Sequence, residues 1–156
     1  MTSAGDMLDA WVRFIQADGK TTYAQWPEFF LREWVRFQAE NGQLYFSRRD
    51  DEVTGLLVGW QGREEELAWQ WHVGRGGNCY LVALLIAHEP EAALALMSRW
   101  VARYPDHWSM RLMANRRGRT VAYPPRVLTR FWDAMRRATG ERVAKERLCL
   151  TCGSNV

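Results

Sequence analysis

The chain has 156 residues, 47% of them apolar and 13% aromatic, with nine Trp. That length and apolar content fit one domain with a sizeable core and exclude a globally disordered chain. The net charge of +3 conceals a division: residues 1–98 hold 14 acidic and 8 basic residues, and residues 99–156 hold 4 acidic and 13 basic.

Met1 to Asp6 is polar and acidic, with no basic stretch leading into an apolar one, so no secretory signal is expected. Leu8, Trp11, Val12 and Ile15 recur at helical spacing until Asp18-Gly19 stops them. A second helix is expected from Pro27 to about Glu40, with Phe30, Leu31, Trp34, Val35 and Phe37 on its apolar face and Asn41-Gly42 as its stop. The period then falls to two. Gln43 to Arg48 and Glu52 to Trp60 read as strands around an Asp50-Asp51 turn. Gln61 to Glu65 makes a charged turn, and Leu67, Trp69, Trp71 and Val73 alternate as in a further strand.

Gly74 to Asn78 reads as a flexible connection. Cys79 to Ala87 is a continuous apolar run of strand length, as a central strand buried on both faces requires. It is also the longest apolar run, far short of the roughly 20 residues of a membrane helix, so no membrane association is expected. A helix from Pro90 to about Tyr104 follows, with Ala93, Leu96, Met97, Trp100 and Val101 inward. Trp108 to Ala114 and Thr120 to Tyr123 read as strands around a basic turn. Pro124-Pro125 opens a last helix with Leu128, Phe131, Trp132 and Met135 inward. The expectation is a single α+β domain over residues 1–140, a mostly antiparallel central sheet with helices on both faces, and a loosely held tail over 141–156.

This order of elements resembles the GNAT acyltransferase fold. It is closest in pattern to the toxin-activating lysine acyltransferases, GNAT-like enzymes that take their acyl group from acyl carrier protein. The resembling features are Trp26-Pro27 opening a helix, Asn41-Gly42-Gln43 leading into a strand, and a strand ending at Trp60. Beyond them come the apolar strand ending Ile86-Ala87, a helix ending Arg103-Tyr104-Pro105, and a basic strand pair around Met110 to Tyr123. The resemblance implies transfer of an acyl group from a thioester donor, acyl carrier protein or coenzyme A, to an amine. Two positions depart from it. The family's essential His, three residues before the Trp-Pro, corresponds to Tyr23. Its acidic residue in the central strand corresponds to Leu84. GNAT enzymes also carry a Gly-rich loop whose N–H groups cradle the pyrophosphate of coenzyme A. Here that junction reads His88-Glu89-Pro90-Glu91, without glycine and with two carboxylates.

His88 with Glu89, at the end of the apolar strand, is the candidate catalytic pair, either one as base; the alternative is a cap on the following helix. His72 reads as a surface residue on the polar face of its strand, and His107 as a turn residue. Gly74-Arg75-Gly76-Gly77 lacks the strand-to-helix setting of a phosphate loop. Cys149 and Cys152 have metal-ligand spacing, but zinc needs two more ligands and no second Cys pair exists, so no metal is expected.

Arg111, Arg116, Arg117 and Arg119 head the densest basic set, suited to docking the donor or an acidic protein partner. With Trp108 and Tyr123 they also suit nucleic acid, and the bland alternative pairs them with Glu64–Glu66 or Asp50–Glu52. Three functional expectations follow for a cytoplasmic protein. The first is a GNAT-like acyl-transfer protein. The second is a non-catalytic component of a phage or other multiprotein assembly, including self-assembly. The third is a nucleic-acid-binding module.

Overall fold

The computed structural model describes residues 3–68, 70–104 and 110–152. Trp69, His107 and Trp108 lie outside these residues, as do the side chains of Cys149 and Cys152. Helix α1 (Ala4–Asp18) begins at a reciprocal cap: Ser3 Oγ accepts from the Asp6 N–H at 3.1 Å and the Asp6 carboxylate accepts from the Ser3 N–H at 3.0 Å. It ends at Gly19 in the left-handed region, φ 64°. A single 3-10 turn, Thr22–Gln25, leads to α2 (Glu28–Glu40). Then come β1 (Leu44–Arg49), β2 (Glu52–Gly62), β3 (Cys79–Ala87), α3 (Pro90–Arg103), β4 (Arg111–Arg116), β5 (Arg119–Tyr123) and α4 (Pro125–Cys152).

The five strands lie in sequence order in one sheet. β1–β2, β2–β3 and β4–β5 are antiparallel; β3–β4 is parallel, as the intervening α3 crossover allows. One face of β2 and β3 buries Leu56, Val58, Trp60, Leu81, Ala83 and Ile86 against α1 and α2, through Val12, Ile15, Leu31, Trp34 and Val35. The other face buries Leu57, Tyr80 and Val82 against Leu96 and Trp100 of α3 and Leu128 of α4. Helices therefore cover both faces, as the two-sided apolar character of β3 requires.

Three expectations fail. Residues 67–73 do not form a strand: Glu64–Ala68 is a 3-10 turn, and residues 70–78 carry no regular structure. Side chains take the place of a ladder. The Gln70 carbonyl accepts from Trp34 Nε1 at 2.8 Å and Gln38 Nε2 at 3.0 Å. Gln43 donates to the His72 carbonyl at 2.9 Å and accepts from the Gly74 N–H at 2.8 Å. Nor is 74–77 a loose connection. A Cβ at Gly77 would lie 2.3 Å from the Gly62 carbonyl oxygen, so only glycine permits this backbone-on-backbone approach. As the strand is absent, His72 is not on a solvent face: it is half-buried, its Nε2 3.0 Å from the buried carboxylate of Glu66. Helix α4 runs through Gly140 to Cys152; a single glycine costs a helix only about 1 kcal/mol.

Candidate active site

The site originates in one extra residue. Between β2 and β3 the register runs Val58↔Leu84 and then Gly59↔Val82, so Ala83 has no partner and forms a bulge. Ala83 and Leu84 therefore both turn toward the α1–α2 face, and Leu85 falls on the opposite face, 43% exposed. Gly59 allows this: a Cβ there would lie 2.7 Å from the Leu81 carbonyl oxygen and 3.0 Å from the Tyr80 hydroxyl. A bulge bends its strand and interrupts pairing. The parallel ladder with β4 runs Cys79↔Arg111 to Val82↔Ala114 and stops there, one residue before the bulge. Residues 83–87 and 115–117 diverge, and a cleft opens between them.

On the α1 side the cleft is polar, about 280 Å³, lined by Asp18, Lys20, Thr21, Thr22, Tyr23, the backbone span 83–87, His88 and residues 115–117. On the α3–α4 side is an apolar cavity of about 410 Å³ bounded by Leu57, Leu85, Leu96, Met97, Phe131 and Met135. Leu85, Ala87, His88 and Arg116 border both spaces. The sheet is thus open at its splayed end, with a histidine on the rim.

His88 pairs with Asp18. Its Nε2 lies 3.1 Å from Asp18 Oδ1, and its ring rests on Phe14 with centroids 5.2 Å apart. The Asp18 side chain is only 10% exposed, and its other oxygen accepts from the Lys20 N–H at 3.2 Å. A carboxylate so held fixes the imidazole and leaves Nδ1 for a reacting group. Glu89 turns away to Arg49 on β1. The reading of Asp18 as a helix stop is correct but incomplete; no local pattern links it to a histidine 70 residues away.

Tyr23 is 4% exposed, stacked on Trp34 at 4.3 Å and edge-on to Trp26 at 4.9 Å. Burial pushes its hydroxyl up to about 12, against the opposing effect of a hydrogen bond with Asn115 on β4. It therefore stands in the cleft wall as a neutral phenol throughout the ordinary pH range. Leu84, paired with Val58, is buried and offers no acid.

The four arginines do not act as one set. Arg111 opens β4 and faces Glu64 at 3.8 Å. Arg116 closes the same strand, about 16 Å away at strand rise. Arg116 and Arg117 line the cleft, whereas Arg119 is opposite Arg116 on β5 and points to no described carboxylate. No group of three His, Cys, Asp or Glu suited to a metal occurs among the described residues. No helix among them is long and apolar enough to cross a membrane. No protein-family model matches the chain, and no curated protein is significantly similar to it.

Proposed function

We propose that the chain is a GNAT-like acyl-transfer protein that moves an acyl group from a thioester donor to an amine. The observation that carries this reading is the divergence of the parallel strands β3 and β4 beside the His88–Asp18 pair. The splay leaves the β4-facing edge of residues 83–87 without a partner strand, so its N–H groups can donate to a carbonyl laid along it. In the proposed reaction His88 takes a proton from the acceptor amine. The amine nitrogen attacks the thioester carbonyl, and the tetrahedral oxyanion accepts from β3 N–H groups. Collapse breaks the C–S bond and releases the donor as a thiol, which takes up one proton. Asp18 is a positioning residue that holds the imidazole.

The test is release of free thiol from coenzyme A and acyl-carrier-protein thioesters in the presence of amines. His88→Ala is expected to abolish it, and no release with any donor would refute the reading. A second reading, a non-catalytic binding protein on the same scaffold, is favoured by the burial of Tyr23 and Leu84 where the resembling family keeps its His and acid. It predicts no thiol release, together with a stable self- or partner assembly in light scattering.

A further inference from the structure

Three cations line the polar cleft, and they differ from those engaged elsewhere in the sheet and helices. Arg32, Arg36, Arg49, Arg63 and Arg111 each face a carboxylate, and Arg99 and Arg103 donate to the backbone carbonyls of Phe46 and Gly42. Lys20, Arg116 and Arg117 face no carboxylate among the described residues, and all three line the polar cleft. Arg116 instead lies over the Tyr123 ring, 5.8 Å from its centroid. The only described carboxylate in the lining is Asp18, already engaged by His88 and the Lys20 N–H.

The turn that presents these arginines is fixed and strained. Arg117 adopts φ 52° and Gly118 φ 77°, a hairpin geometry that favours Asn or Gly at both places. Holding an arginine in the left-handed region costs about 1 kcal/mol. The Asn115 side chain locks the turn by accepting the Gly118 N–H at 3.0 Å. Asp50 in the β1–β2 turn adopts the same conformation as Arg117, so this φ fixes where Arg116 and Arg117 project and no more. The Thr21 and Thr22 hydroxyls and the neutral Tyr23 line the same wall. The start of α3, Glu89-Pro90-Glu91, has no glycine and is not part of the lining of this cleft.

We infer that the polar cleft binds a phosphate monoester through Lys20, Arg116 and Arg117, on the wall formed by the α1–α2 connection and the β4–β5 turn. A carboxylate is satisfied by one guanidinium fork; three unpaired cations match a dianion. Resting on the acyl-transfer reading, the phosphate belongs to the arm of the thioester donor, whose reactive end then lies along β3 near His88. The donor is thus held by cationic side chains, not by a helix N-terminus.

Calorimetric titration of the full chain with pantetheine 4′-phosphate and with pantetheine tests this. At low salt the phosphorylated probe is expected to bind at least about tenfold more tightly. The advantage shrinks as salt rises and vanishes in the double variant R116Q/R117Q. Both arginines are exposed, so the variant is expected to melt as the parent does; Lys20→Gln, also exposed, serves as an independent second variant. Equal affinity for the two probes, or an advantage that survives the double variant, overturns the inference. So does displacement of the probe by an unphosphorylated oligonucleotide at lower concentration, which would make the wall a nucleic-acid groove. Thiol release without phosphate preference would sink this inference and leave the acyl-transfer reading standing. Phosphate-dependent binding without thiol release would do the reverse.

Discussion

Replacing Gln43 by methionine keeps the length of the side chain and removes its hydrogen bonds. Gln43 is 3% exposed. Its amide nitrogen donates to Gln38 Oε1 at 2.8 Å and to the His72 carbonyl at 2.9 Å, and its amide oxygen accepts the Gly74 N–H at 2.8 Å. Three bonds at about 1 kcal/mol each, with the buried Gln38 oxygen left unsatisfied, amount to about 3–4 kcal/mol. Burial of the added apolar surface returns about 1 kcal/mol. The net expectation is a loss of about 2–3 kcal/mol, measured as a lower urea midpoint at unchanged slope. The loss is local in origin, because two of the three partners belong to the segment 70–78. Trypsin is therefore expected to cut after the exposed Arg75 faster in the variant, under conditions where the parent is cut slowly. A loss below about 1 kcal/mol with an unchanged cutting rate would show that side-chain bonds do not hold this segment.

Gly59→Ala is expected to cost about 1–3 kcal/mol, since its Cβ would press on the Leu81 carbonyl and the fully buried Tyr80; a neutral result in thermal melts would mean the bulge is not locked by this contact. Gly140→Ala meets nothing within 4 Å and is expected to stabilise by up to about 1 kcal/mol in the same assay. Burial holds Tyr23 and Tyr45 at about 12 and Tyr80 well above its ordinary value. All three stay neutral in the folded chain when the unfolded chain begins to ionise near 10. Their contribution is fully present below pH 10 and lost as pH rises toward 12, so melting temperature falls across that window, less steeply in Tyr23→Phe. Asp18→Asn keeps a hydrogen-bonding side chain but not its charge, and is expected to slow thiol release at least about tenfold with the fold intact; unchanged turnover would remove Asp18 from the site.

The scaffold is legible wherever one period dominates. Cys79–Ala87, α2 and α3 fall within a residue or two of their expected bounds, because unbroken apolar runs and Asn-Gly or Pro punctuation leave one economical solution. The failures come from residues whose partners are distant in sequence. Leu67, Trp69, Trp71 and Val73 alternate like a strand, yet the backbone there is held by Trp34, Gln38 and Gln43, and Trp71 is left 44% exposed. Alternation reports a two-sided environment, and a loop pinned by side chains on one side satisfies it as well as a strand does. The site is half legible. His88 is marked by its place after a buried strand, but its partner Asp18 is on another element, and the bulge at Ala83 has no local signature. Glycine at 59 is its only trace.

The division of charge along the chain takes on a structural meaning here. Several acidic residues are paired within the first part of the chain: Asp9 with Arg32, Glu33 with Arg36, Glu89 with Arg49, Glu65 and Glu66 with Arg63. From the later basic segment, Arg111 meets Glu64, and Arg99 and Arg103 donate to the Phe46 and Gly42 carbonyls. At the opposite end of β4 from Arg111, Arg116 and Arg117 join Lys20 around the splayed strands. Lys20 belongs to the acidic half by sequence and to the basic end by position, so the boundary in the sequence is not the boundary in space. A general surface field requires no gap in the sheet beneath it. Cationic side chains, a carboxylate-held histidine and an opened strand pair meet at one end of β3, and that coincidence makes this end the place to test chemistry.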